Sequence, residues 1–142
     1  MTEAAIISLI VFYSNMFGFD SRVALAVAKV ESGYKINAVS KDSKDLGIFQ
    51  LRQTSYPGYS RKALLNPRIN VMLGILHLKR IKESCVHQRN LDYLTCFNLG
   101  EAGAKKVKYP HLWKYVKKVN YELNNIYQQN SIAMAGQMGY IK

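Results

Sequence analysis

The apolar positions of the chain fall into blocks with helical spacing, separated by short polar punctuation. Ile6, Leu9, Ile10 and Tyr13 recur every three or four residues, which predicts a helix from about Glu3 to Phe17, stopped at Gly18. Asp20 or Ser21 is expected to cap a second helix through Val23, Leu25, Ala26, Val27, Ala28 and Val30, ended by Gly33. From Tyr34 to Leu51 the helical signal fades, and β-branched and aromatic residues around Gly47 predict a loop with a short hairpin. Gln53 to Pro67 reads as loop, with Pro57-Gly58 as a turn. The next helix, about Pro67 to Glu83, has a wide apolar face and is expected at the centre of the fold. Asn90 is expected to cap a fourth helix carrying Leu91, Leu94 and Phe97 and stopped by Gly100. Glu101 to Tyr109 reads as a basic loop. Pro110 is expected to open a last long helix with Leu112, Tyr115, Val116, Val119, Leu123 and Ile126 on one face. Ser131 to Lys142 is small and Met-rich and carries no clear element signal. The expected fold class is mainly α: a helical bundle around a central helix, with a small β-hairpin or loop element, in a single domain over 1–142.

Composition narrows the function. A chain of 142 residues has room for one sizeable core, and 49% hydrophobic against 20% charged residues suffices to build it. Lys and Arg outnumber Asp and Glu by 20 to 9, giving a formal charge of +11, which implies an anionic partner: nucleic acid, a membrane surface or an acidic polymer. Nine carboxylates make a carboxylate-rich metal site unexpected. Three histidines (His77, His87, His111) and two cysteines (Cys85, Cys96) are too few and too scattered for a zinc site, so neither metal nor cofactor is expected. The apolar run Ile6 to Tyr13 is too short to span a membrane and lacks the flanks of a signal peptide. The expectation is a chain made in a cytoplasm without a leader of its own, not inserted in a membrane, with Cys85 and Cys96 as free thiols.

Glu31 is the anomaly. It follows Val27 and Ala28 by four and three residues, so it extends the apolar face of the second helix. Burial disfavours a charged carboxylate and raises its pKa, and a carboxylic acid still protonated near neutral pH can serve as a general acid. The plainer alternative is a helix-end glutamate that reaches solvent.

The surroundings of Glu31 form an ordered series. Glu31-Ser32-Gly33-Tyr34 is followed by Asn37-Ala38-Val39-Ser40 and then Asp45-Leu46-Gly47-Ile48-Phe49-Gln50-Leu51. Leu65-Asn66-Pro67, Asn70 and Gly74 come next, then Cys96-Phe97-Asn98-Leu99-Gly100 and finally Tyr115-Val116. This series, over about residues 4–128, resembles the catalytic domain of the soluble lytic transglycosylases, related to goose-type lysozyme. It departs from the family pattern in an added residue after Ser40, in Phe49 for a methionine, in Phe97 for a tyrosine, and in Cys96 and Leu99 for alanines.

The resemblance implies an α+β lysozyme-like fold with the β element beside a cleft. It also implies an enzyme that cleaves the β-1,4 bond between N-acetylmuramic acid and N-acetylglucosamine in peptidoglycan, with Glu31 as acid and then base and a 1,6-anhydro sugar as product. Ser32, Ser40, Gln50, Asn98 and Tyr115 are implied as substrate-binding or supporting residues, against plainer readings as a helix cap, loop residues, a helix terminator and core. Asp42 and Asp45 are the only nearby second carboxylates and are expected to point to solvent or into the loop. The implied partner is the peptidoglycan glycan strand, met by a monomer, with Lys105, Lys106, Lys108, Lys114, Lys117 and Lys118 as an attractive or simply solvated patch. Nucleic acid is not expected, since the basic run lacks interleaved aromatics. Hydrolysis by a muramidase is the closest alternative, and a non-catalytic basic wall-binding module the next. A stand-alone domain of this kind is most like a bacteriophage lysis or virion wall-opening enzyme, acting in the periplasm or cell wall.

Overall fold

The computed structural model describes residues 1–137. Six α-helices and a two-stranded antiparallel sheet lie among them, a mainly α, lysozyme-like arrangement. Helix α1 (Glu3–Phe17) starts where the Thr2 hydroxyl accepts from the Ala5 amide and stops at Gly18, whose φ of 67° is the left-handed turn anticipated there. Helix α2 (Ser21–Ser32) is capped by Asp20 and closed by Gly33. Helix α4 (Pro67–Ser84) has Asn66 as its cap and Pro67 in its first turn. It packs against α1, α3 (Arg61–Leu65) and α5 (Leu94–Ala104), while α2 packs between α1 and α6 (Lys114–Gln137). The core runs along these contacts through Ile10, Val27, Val71, Ile75, Leu78, Leu94 and Val119.

The β element is smaller than its loop. Strand β1 (Asp45–Leu46) pairs with β2 (Leu51–Arg52), and Val39 bridges Leu46 on the other side. One side chain from α4 fixes this loop. Asn70 is fully buried; its amide nitrogen donates to the Leu46 carbonyl (2.8 Å) and the Leu64 carbonyl (2.7 Å), and its oxygen accepts from the Phe49 amide (2.8 Å). Gly47, at φ 75°, passes so close to Asn70 that any Cβ there would collide with it. One turn along, Gly74 leaves room for the Phe49 ring against the helix.

Four expectations need correction. The stretch read as loop contains a 3-10 turn (Gln53–Ser55) and the five-residue helix α3, capped by Ser60. Asn90 does not cap a helix: it takes a positive φ of 48°, and α5 begins at Leu94 and continues through a kink at Gly100 to Ala104. Pro110 opens a 3-10 turn (Pro110–Leu112), and α6 proper begins at Lys114. Cys85 and Cys96 are not free thiols. The end of α4 and the start of α5 bring their Cα atoms to 6.1 Å, and the two form a disulfide, both nearly inaccessible. Residues 131–137 continue α6, and the remainder of the proposed tail lies outside the described residues. No described helix is long and apolar enough to cross a membrane, and the described residues hold no cluster of metal-ligating side chains.

Candidate active site

Glu31 occupies the last turn of α2, one residue before the helix ends. The helix needs its preceding residues, Ala26, Val27 and Ala28, in the core, so the next position on that face reaches the edge of the apolar interior. There the carboxyl opens into a cleft of about 620 Å³. Desolvation raises its pKa from 4.5 to about 7, assisted by the negative charge of Asp45 and opposed by the Tyr115 hydroxyl. At neutral pH a large share of Glu31 is therefore protonated.

Tyr115 projects from the first turn of α6 and is 8% exposed. Its hydroxyl makes no full hydrogen bond with any described residue, yet it lies close enough to the Glu31 carboxyl to pull that group's pKa down. Its own pKa is raised well above the usual phenol value by burial and by Glu31. Catalytic hydrogen bonds are often long or poorly aligned in unliganded sites and tighten when substrate arrives. The Tyr115 ring lies behind the cleft lining, 6.3 Å from Phe97, which lines the cleft and is 5.3 Å from His77. Burial, and after it the charge of Arg80, lower the His77 pKa and so favour the neutral imidazole.

The residues suggested by sequence separate into two groups. Gln50 and Asn98 line the cleft with Glu31. Gln50, at φ 48°, donates its amide to the Ala38 carbonyl (3.1 Å) and the Gly47 carbonyl (2.9 Å), which holds the side chain at the cleft edge. The Asn98 oxygen accepts from the Trp113 indole (2.9 Å), which orients its amide. Ser32 and Ser40 do not line the cleft. The Ser32 hydroxyl donates to the Ile48 carbonyl (2.8 Å), tying the end of α2 to the loop. Ser40 donates to Asp42 (2.6 Å) and accepts from the Asp45 amide (3.0 Å), so its hydroxyl is consumed inside the loop. Both act on the cleft through the backbone they fasten.

The two loop carboxylates also part company. Asp42 is exposed and held by Ser40 and by the Lys44 amide. Asp45, expected to turn away, lines the cleft with Glu31 and pairs with Arg52 at 3.0 Å. The register Asp45 opposite Arg52 explains the difference, since pairing β1 with β2 turns the Asp45 side chain toward the cleft wall. Arg52, Ser55, Tyr56 and His77 also line the cleft and escaped the sequence reading. His77 had a signal: it lies seven residues after Asn70 and three after Gly74, on the helical face that meets the loop.

Comparison with known families agrees with this architecture. The profile of the transglycosylase SLT domain matches residues 8–128, and the chain belongs to that family. Membership carries a lytic-transglycosylase-type, peptidoglycan-degrading function and peptidoglycan as substrate. A search of curated proteins returns no match.

Proposed function

We propose that the protein cleaves the β-1,4 bond between N-acetylmuramic acid and N-acetylglucosamine, with Glu31 as the single acid and base. The observation that carries this reading is the half-buried Glu31 carboxyl, raised to about 7, at the wall of a cleft large enough for sugar rings. Protonated Glu31 gives its proton to the glycosidic oxygen as the bond to the anomeric carbon breaks. The substrate's N-acetyl group shares the positive charge left on that carbon. The carboxylate then takes the proton of the C6 hydroxyl as that oxygen closes on the anomeric carbon. Glu31 ends protonated, no water is consumed, and the product is a 1,6-anhydro sugar. The C6 hydroxyl competes well with water because it belongs to the same ring, and such positioning is worth up to ~7–11 kcal/mol.

In this reading Tyr115 orients the Glu31 carboxyl, and Gln50 and Asn98 offer polar contacts to the glycan. Ser32 and Ser40 support the cleft from behind. The reaction belongs at the cell wall, with bacteriolysis as its consequence, and the Cys85–Cys96 bridge suits an oxidising compartment of that kind.

Asp45 favours a second reading. A carboxylate lining the same cleft as Glu31 is what a muramidase needs to activate water or form a covalent intermediate. Mass spectrometry of digested peptidoglycan separates the two. Transglycosylation gives muropeptides lighter by one water that resist borohydride, whereas hydrolysis gives reducible ends. Glu31→Gln is expected to keep the fold and to lose wall-clearing activity by ~10²–10⁴-fold or more. Clearance by this variant at near-native rate would sink both readings.

A further inference from the structure

The turn that leads into α6 holds two large apolar side chains in water. Leu112 and Tyr109 are 60% and 54% exposed. They flank the buried Pro110, which anchors the 3-10 turn Pro110–Leu112 and fixes its backbone. The Leu112 amide donates to the Tyr109 carbonyl (3.0 Å), so the two side chains stand one turn apart, the spacing at which such a turn stacks them. The Lys108 ammonium lies 5.3 Å from the centre of the Tyr109 ring. Single exposed apolar residues are ordinary on a protein surface. The charge around this pair is not. Between Cys85 and Lys118 the chain carries seven Lys or Arg against two carboxylates, Asp92 and Glu101. Lys105, Lys106 and Lys108 are exposed just before the turn. Of these three, Lys105 alone has a carboxylate partner among the described residues, an exposed pair with Glu101 at 3.6 Å. The loop after α4 joins the same face. The His87 ring donates to the Ala104 carbonyl (2.9 Å), one residue before Lys105, and Arg89 shares with Asp92, His111 and Lys117 a hollow of about 330 Å³. Val86, beside His87, is a third exposed apolar side chain.

We propose that this face docks the protein on the surface of an anionic phospholipid bilayer, with Leu112 and Tyr109 entering the headgroup layer and the surrounding Lys and Arg side chains meeting lipid phosphates. The proposal goes beyond the function proposed above and does not depend on it. Chemistry separates lipid from other polyanions. A nucleic acid or a wall polymer offers charge to the lysines but no acyl chain to Leu112, whereas a bilayer offers phosphates with hydrocarbon just beneath. Tyrosine suits that boundary, because its ring is apolar and its hydroxyl polar. The lysine stems can lie along apolar surface while their ammonium groups reach the phosphates. Contact of this kind is peripheral and needs no spanning helix. The Trp113 indole, one residue beyond Leu112, bonds Asn98 in the cleft wall, so a docked protein holds its cleft beside the membrane.

The test is cosedimentation with vesicles of phosphatidylethanolamine and phosphatidylglycerol, set against vesicles of phosphatidylcholine alone. Trp113 is the only tryptophan of the chain, so its quenching by nitroxide-labelled lipid reports contact at the turn. The anionic vesicles are expected to bind the protein more tightly and to quench Trp113. Tyr109→Ser with Leu112→Ser, which leaves the net charge unchanged, is expected to weaken that partition about tenfold and to abolish the quenching. Phe12→Ser with Met16→Ser removes two comparably exposed apolar side chains from α1, a helix without a basic residue, and is expected to leave partition unchanged. Lys105→Gln, Lys106→Gln and Lys108→Gln together are expected to weaken it by about tenfold to a hundredfold. Soluble polyphosphate serves as a second probe, and the Tyr109 and Leu112 variant is expected to bind it as the wild type does. Equal partition into both kinds of vesicle, full partition by either the apolar or the lysine variant at the turn, or an equal loss in the α1 pair would overturn the proposal. An equal loss toward polyphosphate would also overturn it and assign the face to a soluble polyanion.

Discussion

The two walls of the cleft are built on different principles. The loop wall, residues 38–52, has almost no regular structure and is held by side chains that bond backbone. Asn70 fastens Leu46, Phe49 and Leu64, Ser32 fastens Ile48, Gln50 fastens Ala38 and Gly47, and Ser40 fastens Asp45. The helical wall, from Phe97 to Gly100 and Trp113 to Lys118, rests on apolar packing, the Cys85–Cys96 bridge and one side-chain bond from Trp113 to Asn98. A polar scaffold is specific but intolerant, because each lost partner leaves a buried group without hydrogen bonds. A packed helix yields gradually, since its own backbone bonds stay satisfied. The loop wall should therefore fail sharply and the helical wall by degrees.

The strongest way to break the comparison is at Asn70. Asn70→Ala strands one buried amide and two carbonyls, and it is expected to cost about 2–5 kcal/mol in urea unfolding. A loss under about 1 kcal/mol would mean that water replaces the amide freely and that the loop is not held as argued. The helical counterpart is the disulfide. Its two cysteines are 11 residues apart, so opening it with Cys85→Ser and Cys96→Ser is expected to cost about 2–3 kcal/mol. Because the loop wall does not depend on it, residual activity measured at low temperature should survive in the double variant and vanish in Asn70→Ala. The reverse order of activities would invert the assignment of the two walls.

The smallest effect concerns the group between them. Glu31 is raised from 4.5 to about 7 in the folded protein. Between those two values the folded state holds a proton that the unfolded state has released, so stability falls as pH rises through the window. Above pH 7 the native protein carries a poorly solvated carboxylate. Glu31→Gln removes that burden and is expected to be about 1–3 kcal/mol more stable than the wild type at pH 8, with the gain fading below pH 4.5. Parallel melting curves at pH 4, 6 and 8 check this. A stability difference that does not vary with pH would place the carboxyl in water.

The same contrast explains what could be read from the sequence. The end of α1 and both ends of α2 were legible because Gly18, Asp20 and Gly33 act on residues within one turn; the caps Thr2 of α1 and Asn66 of α4 act just as locally and were not read. Helix α3 was missed because five residues cannot display a periodicity, although Ser60 marks its start. Glu31 was legible because its burial follows from residues on its own helix. Ser32 and Ser40 were implied as substrate-binding or supporting residues by the motifs they belong to, and the partners of their hydroxyls could not be read from those motifs. The Ile48 carbonyl that consumes Ser32 lies 16 residues away, and nothing local announces it. Asp45 depended on strand register, and the disulfide on the approach of two helix ends, both products of the tertiary fold. The cleft residue Tyr56 belongs to a segment that meets the motifs only in space, whereas His77 shares a helix with Asn70 and Gly74 and could have been found from their spacing.

The bond from the Phe49 amide to Asn70 has a kinetic consequence. Its acceptor stands on α4 and its donor in the loop, so this hydrogen can exchange with solvent only when loop and helix part. The neighbouring Gln50 amide, by contrast, is bonded within the loop to the Gly47 carbonyl and can stay protected while the loop moves as a body. The ratio of the two deuterium uptake rates therefore clocks the opening of one cleft wall as a unit. Two adjacent amides serve as an internal stopwatch for how often the cleft loses its shape.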